Sequence, residues 1–501
     1  MRKNNLANFI LAIRKNKHIF SWSLIILTIA AFIFFNGIGL VSSPVNFDEL
    51  EHLHAAWLWS QGLQPYVDFF EHHQKLLWLF LKPIVNYFDN NLFAAIVAGR
   101  ILIFAIVNLL LLVSFFFYAR LFNRRVAWLA TGLWLLFIII EPGVLQIRSD
   151  MLMLLLLVSG SLILYRLNDL GSSKKKRYSQ AIIGGLLLGV AILVTPKAIF
   201  WLAAFFVGWV VTSIIESRQQ FYFILPLMLI SGLVVCSTII FNLFYESWFY
   251  DLDKYYNAIW LANKQCPAVW NTRHNLLMAL LVIIHWGVVT PIIFVLSGVI
   301  LSLSKVIQNV RKSSGHIMIW LLAIAGVVLM LMAKTGNLYN LYPLLWVFIA
   351  FTSLALEKIF NSESISAFLN ERILLICLII LFGFGTNISS LTLSYSLQPL
   401  QTVLALAKPG DTYITERGGG GGGGYSPVFM FDADPLYFMS SVDPDPNRKD
   451  LFEVVDTKKP KFVFSSSMNK KTNQQLLTDY FEMSSNQKEY LSPYFQFFIL
   501  K

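Results

Sequence analysis

Asp48 and Glu49 stand side by side, and Glu51, His52, His54, Asp68, Glu71, His72 and His73 follow them in one short stretch between two strongly apolar segments. Carboxylates gathered this closely suit two kinds of chemistry. One of them can accept the proton of an attacking hydroxyl, and a pair can hold a divalent cation against a phosphate. Helix-dipole stabilisation accounts for Asp48 and Glu49 at a helix start, but it does not call for the acids and histidines that follow. His-Glu-x-x-His is absent and the spacing fits no zinc template, so a structural zinc is not expected. A loosely held magnesium, manganese or zinc ion stays open, with Asp48 and Glu49 as its candidate ligands. No cofactor is certain from the residues alone.

These groups need a scaffold. Asn46 can cap a helix that begins at Phe47, with Glu49 at the third helical position as in a capping box. That helix is expected to run to Gln61 and stop at Gly62. Its spacing puts Asp48, Glu51, His52 and Ala55 on one face, and leaves Leu53, Trp57 and Leu58 to rest on a membrane. Beyond Gly62, Pro65-Tyr66 reads as extended. A second short helix is then expected to carry Asp68, Glu71 and His72 on one side.

The membrane enters through composition. Of 501 residues, 56% are hydrophobic and only 13% charged, and the mean hydropathy is +0.63. Soluble domains do not carry that balance. The net charge of +11 comes from basic residues in short loops, as the positive-inside rule expects of cytoplasmic loops; nucleic-acid binding is not expected. The 42 Phe, 19 Tyr and 14 Trp suit a bilayer protein with aromatic belts. Cys236 and Cys377 fall in apolar runs and Cys266 in a polar loop, so no disulfide pairing is expected.

The apolar runs make about eleven spans. The N-terminus is expected in the cytoplasm, and residues 41–91 form a long first outer loop. Arg120, Arg124, Arg125 and the run Lys174-Lys175-Lys176-Arg177 lie inside. Thr195-Pro196-Lys197 makes a tight outer turn, and a second outer loop covers Tyr245 to His274. Residues 1–390 thus form the transmembrane domain. Residues 391–501 have ordinary soluble composition, and short strands beginning at Asp411, Lys461 and Tyr494 bounded by turn residues indicate a small extracytoplasmic α/β domain. The Gly418–Gly424 run within it is expected to be a mobile loop, and is not a phosphate loop because no Gly-Lys-Ser/Thr follows.

The ordered set Phe47-Asp48-Glu49, Gly62, Pro65-Tyr66-x-Asp68-Phe69 and Glu71-His72-His73 after an apolar first span resembles the GT-C membrane glycosyltransferases. Within them it resembles the branch of the lipid A aminoarabinose transferase and the protein O-mannosyltransferases. Arg148-Ser149-Asp150, Thr195-Pro196-Lys197 and Tyr339-x-x-Tyr342-Pro343 resemble that branch too. The resemblance covers about residues 19–350; each motif is degenerate alone, and their order carries the likeness. It implies a GT-C fold and a polyprenyl-phosphate sugar donor. The catalytic base it implies is an acid of the first outer loop, here Asp48, with Glu49 the neighbouring acid. Two features depart from the branch: it often has proline near Gln74-Lys75, where this chain has a cation, and the C-terminal domain is shorter than in many members.

The sequence reading is therefore an all-α polytopic membrane protein of GT-C fold with that C-terminal domain. It is expected to be an inverting glycosyltransferase acting at the outer face of a bacterial inner membrane, on a lipid, glycan or protein acceptor. Candidate substrate-binding residues are Glu51, His52, Tyr66, Asp68, Glu71, His72 and His73 in the loop, with Asp150, Tyr339 and Tyr342 beyond it. Arg148, Lys197, Arg273 and Lys334 sit at outer span ends, where they could meet a leaving phosphate or simply snorkel. Arg100 lies inside a span, where it is expected to face protein or a polar cavity; nearer the outer end of that span, it is also a candidate substrate-binding residue that could meet a phosphate. The rival reading, a flippase for a lipid-linked sugar, calls for polar groups through the midplane or repeated halves; neither is evident.

Overall fold

The computed structural model describes residues 37, 40–41, 47–69, 71, 73–88, 91–168, 173–261, 289–332 and 341–361, with the backbone of five short strands after residue 411. Nearly all of the expected first span, the whole of the eleventh, the Gly418–Gly424 run, and His72, Arg273, Lys334 and Tyr339 lie outside these residues.

The first helix, α1 (Phe47–Ser60), has Asp48 and Glu49 in its first turn. It ends as expected: Gly62 has a φ of +94°, and backbone N–H groups of Gly62 and Leu63 close on Trp59 and Leu58. Only glycine takes that conformation without strain, so the stop is written locally. The expected second helix over Asp68 and Glu71 is not present among the described residues. A turn replaces it, closed by Tyr66 N–H donating to the Phe69 carbonyl at 3.0 Å and by the Pro65–Phe69 bridge. Tyr66 has a φ of +70°, which costs a side-chain-bearing residue about 1–3 kcal/mol unless its surroundings hold it. They do: its hydroxyl donates to the His73 carbonyl at 2.9 Å and its ring meets Tyr255 edge-on.

Helix α2 (Leu76–Tyr87) then folds back along α1 and buries Leu77, Trp78, Leu81 and Val85. This corrects a second expectation. Leu53, Trp57 and Leu58 do not rest on a membrane; they are buried in the protein core.

The long helices follow. They are α3 (Leu92–Leu121), α4 (Arg124–Ile140), α5 (Ser149–Tyr165), α6 (Lys174–Val194), α7 (Ala198–Glu216) and α8 (Arg218–Phe249). Asn91, Asn123 and Ser173 cap α3, α4 and α6 through side-chain oxygens, the residue types that satisfy orphan N–H groups at helix starts. After α8 come a short α9 (Leu252–Tyr256) and a π-helical turn Asn257–Leu261, where the sequence reading placed a loop. Helices α10 (Ile292–Gln308), α11 (Ser314–Met332) and α12 (Tyr342–Phe360) complete the described helical part. Five helices in the described residues are long and apolar enough to cross a membrane: α3, α6, α7, the Phe221–Phe249 part of α8, and α12.

Helix α6 packs between α5 and α8, α7 lies along α11, and α10 lies along α12. The last pair meets backbone to backbone, since a Cβ on Gly298 would fall on the Phe351 carbonyl oxygen. The Tyr118 hydroxyl donates to the Trp346 carbonyl at 2.7 Å and the Trp346 indole donates to Ser114 at 3.0 Å, tying α3 to α12 through buried polar groups that find partners in each other. Outward faces of α3 and α8 expose Leu109, Leu112, Leu233 and Phe241, as lipid-facing surfaces do.

The five strands pair in one sheet. They are β1 (Thr412–Glu416), β2 (Asp434–Phe438), β3 (Phe462–Ser465), β4 (Phe481–Met483) and β5 (Gln496–Leu500), in the order β2-β1-β3-β5-β4. β1 runs parallel to β2 and β3, and β5 antiparallel to β3 and β4.

Candidate active site

The start of α1 holds two adjacent acids in different surroundings. Glu49 is fully buried and faces Arg100 of α3, also buried. Arg100 donates to its two carboxylate oxygens at 2.8 and 2.7 Å, and the Ile147 N–H donates to one of them at 3.0 Å. Arg100 also donates to the Leu40 carbonyl at 2.7 Å. This is a bidentate, charge-assisted pair, and it pins α1 to α3 and to the loop before α5. Arg100 meets protein, as the cost of a cation inside a span requires.

Asp48 points elsewhere. Its carboxylate lies 2.9 Å from the Arg148 guanidinium and is 25% exposed. The helix rotates its residues by about a hundred degrees per step, so one acid enters the protein while its neighbour meets the open side.

One turn further along α1, Glu51 reaches the end of the Tyr66–His73 segment. His73 Nδ1 lies 3.2 Å from a Glu51 oxygen and 2.9 Å from a Glu71 oxygen, and the His73 N–H donates to Glu71 at 3.1 Å. Both carboxylates are buried and His73 is half-buried. One imidazole nitrogen cannot donate to two carboxylates at once. These three ligand atoms lie within 4.8 Å of one another. An imidazole with two carboxylates suits manganese or zinc better than magnesium, which prefers oxygen ligands throughout. The expected cation ligands, Asp48 and Glu49, are not the group that converges: both Glu49 oxygens are taken by Arg100 and the Ile147 N–H.

His52 lies against His73, the rings tilted with centroids 4.6 Å apart, and its Nδ1 accepts from the Trp78 indole at 3.1 Å. Trp78 therefore leaves the ring's proton on Nε2 while His52 is neutral. Burial, and next the neighbouring His73, push the His52 pKa down to about 3. Burial takes His54 down to about 4, so both rings are uncharged near neutrality. Burial raises the Tyr66 hydroxyl well above its usual range.

Asp150 and Lys197 form a further ion pair beside this region, joining the start of α5 to the α6–α7 turn. Tyr342 is buried at the start of α12, edge-on to Phe137. Asp68 is not with the others. It is exposed, and its carboxylate accepts from the Gln64 N–H at 2.7 Å within its own turn.

The residues least visible in the sequence are those supporting the loop from behind. Lys75 forms a 2.6 Å ion pair with Glu246 near the end of α8. Its ammonium also sits over Tyr250 and Tyr245, at 3.8 and 4.6 Å from the ring centroids. Burial lowers the Lys75 pKa against the opposing pull of Glu246. Gln74 donates to the Tyr255 hydroxyl at 2.9 Å. The available signal was an acid at the end of a long apolar run and a lysine just before another.

No family model matches the chain, and no curated protein matches it. Solved structures do. ArnT from Cupriavidus metallidurans bound to undecaprenyl phosphate superposes with a TM-score of 0.63 at 11% identity, over 95% of this chain and 97% of that one. The same protein in the apo state gives 0.66 at 11% identity, over 95% and 98%. The Archaeoglobus fulgidus oligosaccharyltransferase in complex with Zn and sulfate gives 0.51 at 12% identity, over 87% and 68%. What the likeness shows is the fold, which this chain shares nearly end to end with ArnT and over part of the oligosaccharyltransferase.

Proposed function

We propose that this chain is an inverting membrane glycosyltransferase that moves a sugar from a polyprenyl-phosphate donor to a lipid, glycan or protein acceptor. The observation that carries the reading is the Asp48–Arg148 pair: a partly exposed carboxylate beside a guanidinium, on a helix whose adjacent acid, Glu49, is locked into the protein. The shared fold supports the donor class, since one neighbour is described as bound to undecaprenyl phosphate.

Asp48 is the base in this reading. It accepts the hydroxyl proton as the acceptor oxygen attacks the anomeric carbon. The bond from that carbon to the donor's phosphate oxygen breaks, the phosphate leaves with the electron pair, and one displacement inverts the centre. Arg148 holds Asp48 in place and, with Lys197 paired to Asp150 two residues further along, would balance charge growing on the phosphate. Glu49 is a positioning residue, holding the helix that carries Asp48. Glu51, Glu71 and His73 are the residues that would hold a divalent cation; such an ion would offset phosphate charge when bound.

The proposal includes about eleven spans, a cytoplasmic N-terminus, the first loop and a C-terminal α/β domain at the outer face, and residence in a bacterial inner membrane. The test is transfer of label from a panel of polyprenyl-phosphate sugars to crude envelope acceptors by purified protein in lipid. Transfer by the wild type that Asp48→Asn abolishes supports the reading. No transfer from any donor, with lipid-linked sugar instead crossing sealed vesicles, would replace it with a flippase.

A further inference from the structure

A second charged site lies at the other end of the bundle from the acids, at the start of α6. Lys174, Lys175 and Lys176 are exposed in its first turn, while Arg177 is only 9% exposed. The positive-inside rule accounts for the four charges but not for burying one of them. Cations are also the wrong sign for a helix start, where the dipole favours anions.

The burial is specific. The Arg177 guanidinium lies over the Phe223 ring of α8, 4.0 Å from its centroid. That contact brings the beginnings of α6 and α8 together, and a Cβ on Gly185 would stand 2.6 Å from the Ser231 carbonyl oxygen two turns further along. The flat face of Arg177 is thus occupied by an aromatic ring. Its Nε and Nη1 are buried with no hydrogen-bond partner among the described residues. A buried, charged donor edge left unbonded is costly, and guanidinium edges match the paired oxygens of a phosphate.

We propose that Arg177, backed by Phe223 and flanked by Lys174, Lys175 and Lys176, forms the floor of a binding site for a phosphate-bearing anion between the starts of α6 and α8. Three features of one sign converge there: two helix N-termini, a buried guanidinium edge and three exposed ammonium groups. At this end of a membrane bundle the phosphate can come from an anionic lipid headgroup or from solution. The site is separate from the acidic loop and needs none of its residues.

The test uses the full-length protein. Native mass spectra are recorded after purification in phosphatidylcholine with and without phosphatidylglycerol, for wild type, Arg177→Gln, Arg177→Lys and Lys175→Gln. Wild type is expected to keep a phosphatidylglycerol adduct that Arg177→Gln loses by about tenfold, the size of one charge-assisted hydrogen bond. Arg177→Lys keeps the charge without the fork and should also lose binding, whereas the exposed Lys175→Gln should lose less. Thermal unfolding with inorganic phosphate separates the sources. A rise in wild type with phosphatidylglycerol alone assigns a lipid, and a rise with phosphate as well assigns the phosphate group itself. Equal adduct retention in wild type and folded Arg177→Gln would overturn the proposal. If Arg177→Gln does not fold, wild type stabilised by neither ligand would overturn it equally.

Discussion

Asp48–Arg148 and Glu49–Arg100 are the same chemistry one residue apart, and they differ in almost everything that decides a role. The Glu49 pair is sealed, with its carboxylate and guanidinium 0% and 1% exposed, and it is bidentate. The Asp48 pair is 25% and 10% exposed, with an Arg148 guanidinium nitrogen 2.9 Å from the carboxylate. A buried pair gains little over apolar packing, but breaking it strands a charge. An open pair contributes little stability, yet its carboxylate can still meet a substrate. Burial separates a positioning acid from a reacting one even when sequence places them side by side.

The comparison breaks first at Asp48. Asp48→Asn is expected to lower transfer by roughly 10²–10⁴-fold, the range for loss of a positioned base, while unfolding in lipid stays close to wild type. The mirror experiment is Arg100→Met, which leaves Glu49 charged and buried. Stability should fall by about 3–5 kcal/mol, read as lost folded protein on size exclusion, with activity per folded molecule much less affected.

The third carboxylate group sharpens the contrast, because it sits buried yet converges on an open histidine. His73→Ala is expected to weaken manganese or zinc binding by roughly 10–100-fold or more, at least the range for partners that orient metal ligands. Calorimetry would show this, with binding in Asp48→Asn unchanged. Metal binding that survives His73→Ala and disappears in Asp48→Asn would restore the cation to the first two acids.

A smaller effect concerns pH. His52 holds its pKa near 3 when folded, against about 6.5 for an exposed ring. The unfolded chain therefore takes the proton first. The stability gained from burying the neutral ring is complete above about pH 6.5 and is lost as pH falls toward 3. Unfolding temperatures of the wild type should drop across this window, and His52→Asn should flatten part of the slope. The smallest change expected is at Asp68. Asp68→Asn touches only its own exposed turn, so stability should shift by no more than about 0.5 kcal/mol and transfer should be unaffected.

Local features were the legible ones. The stop of α1 at Gly62 and the α6–α7 turn at Pro196 follow from glycine and proline chemistry within a few residues. The acids and histidines drew attention through density alone. What sequence could not supply was which acid faces in. Glu49 finds Arg100 across 51 positions and Lys75 finds Glu246 across 171, and no periodicity encodes such a meeting. The missing second helix has the same origin, because Tyr66 takes a positive φ only with Tyr255 and the His73 carbonyl there to hold it. Leu53 and Trp57 read as membrane-facing because an apolar side chain suits lipid and core equally, and only the return of α2 decides between them.

The most direct test measures the two adjacent acids on two axes at once. Wild type, Asp48→Asn and Glu49→Gln are purified in lipid, and each is assayed for transfer per folded molecule and for thermal unfolding. The account predicts that Asp48→Asn loses transfer and keeps stability, while Glu49→Gln loses stability and keeps most transfer in the molecules that remain folded. Full transfer by Asp48→Asn, or an inactive but fully stable Glu49→Gln, would contradict it.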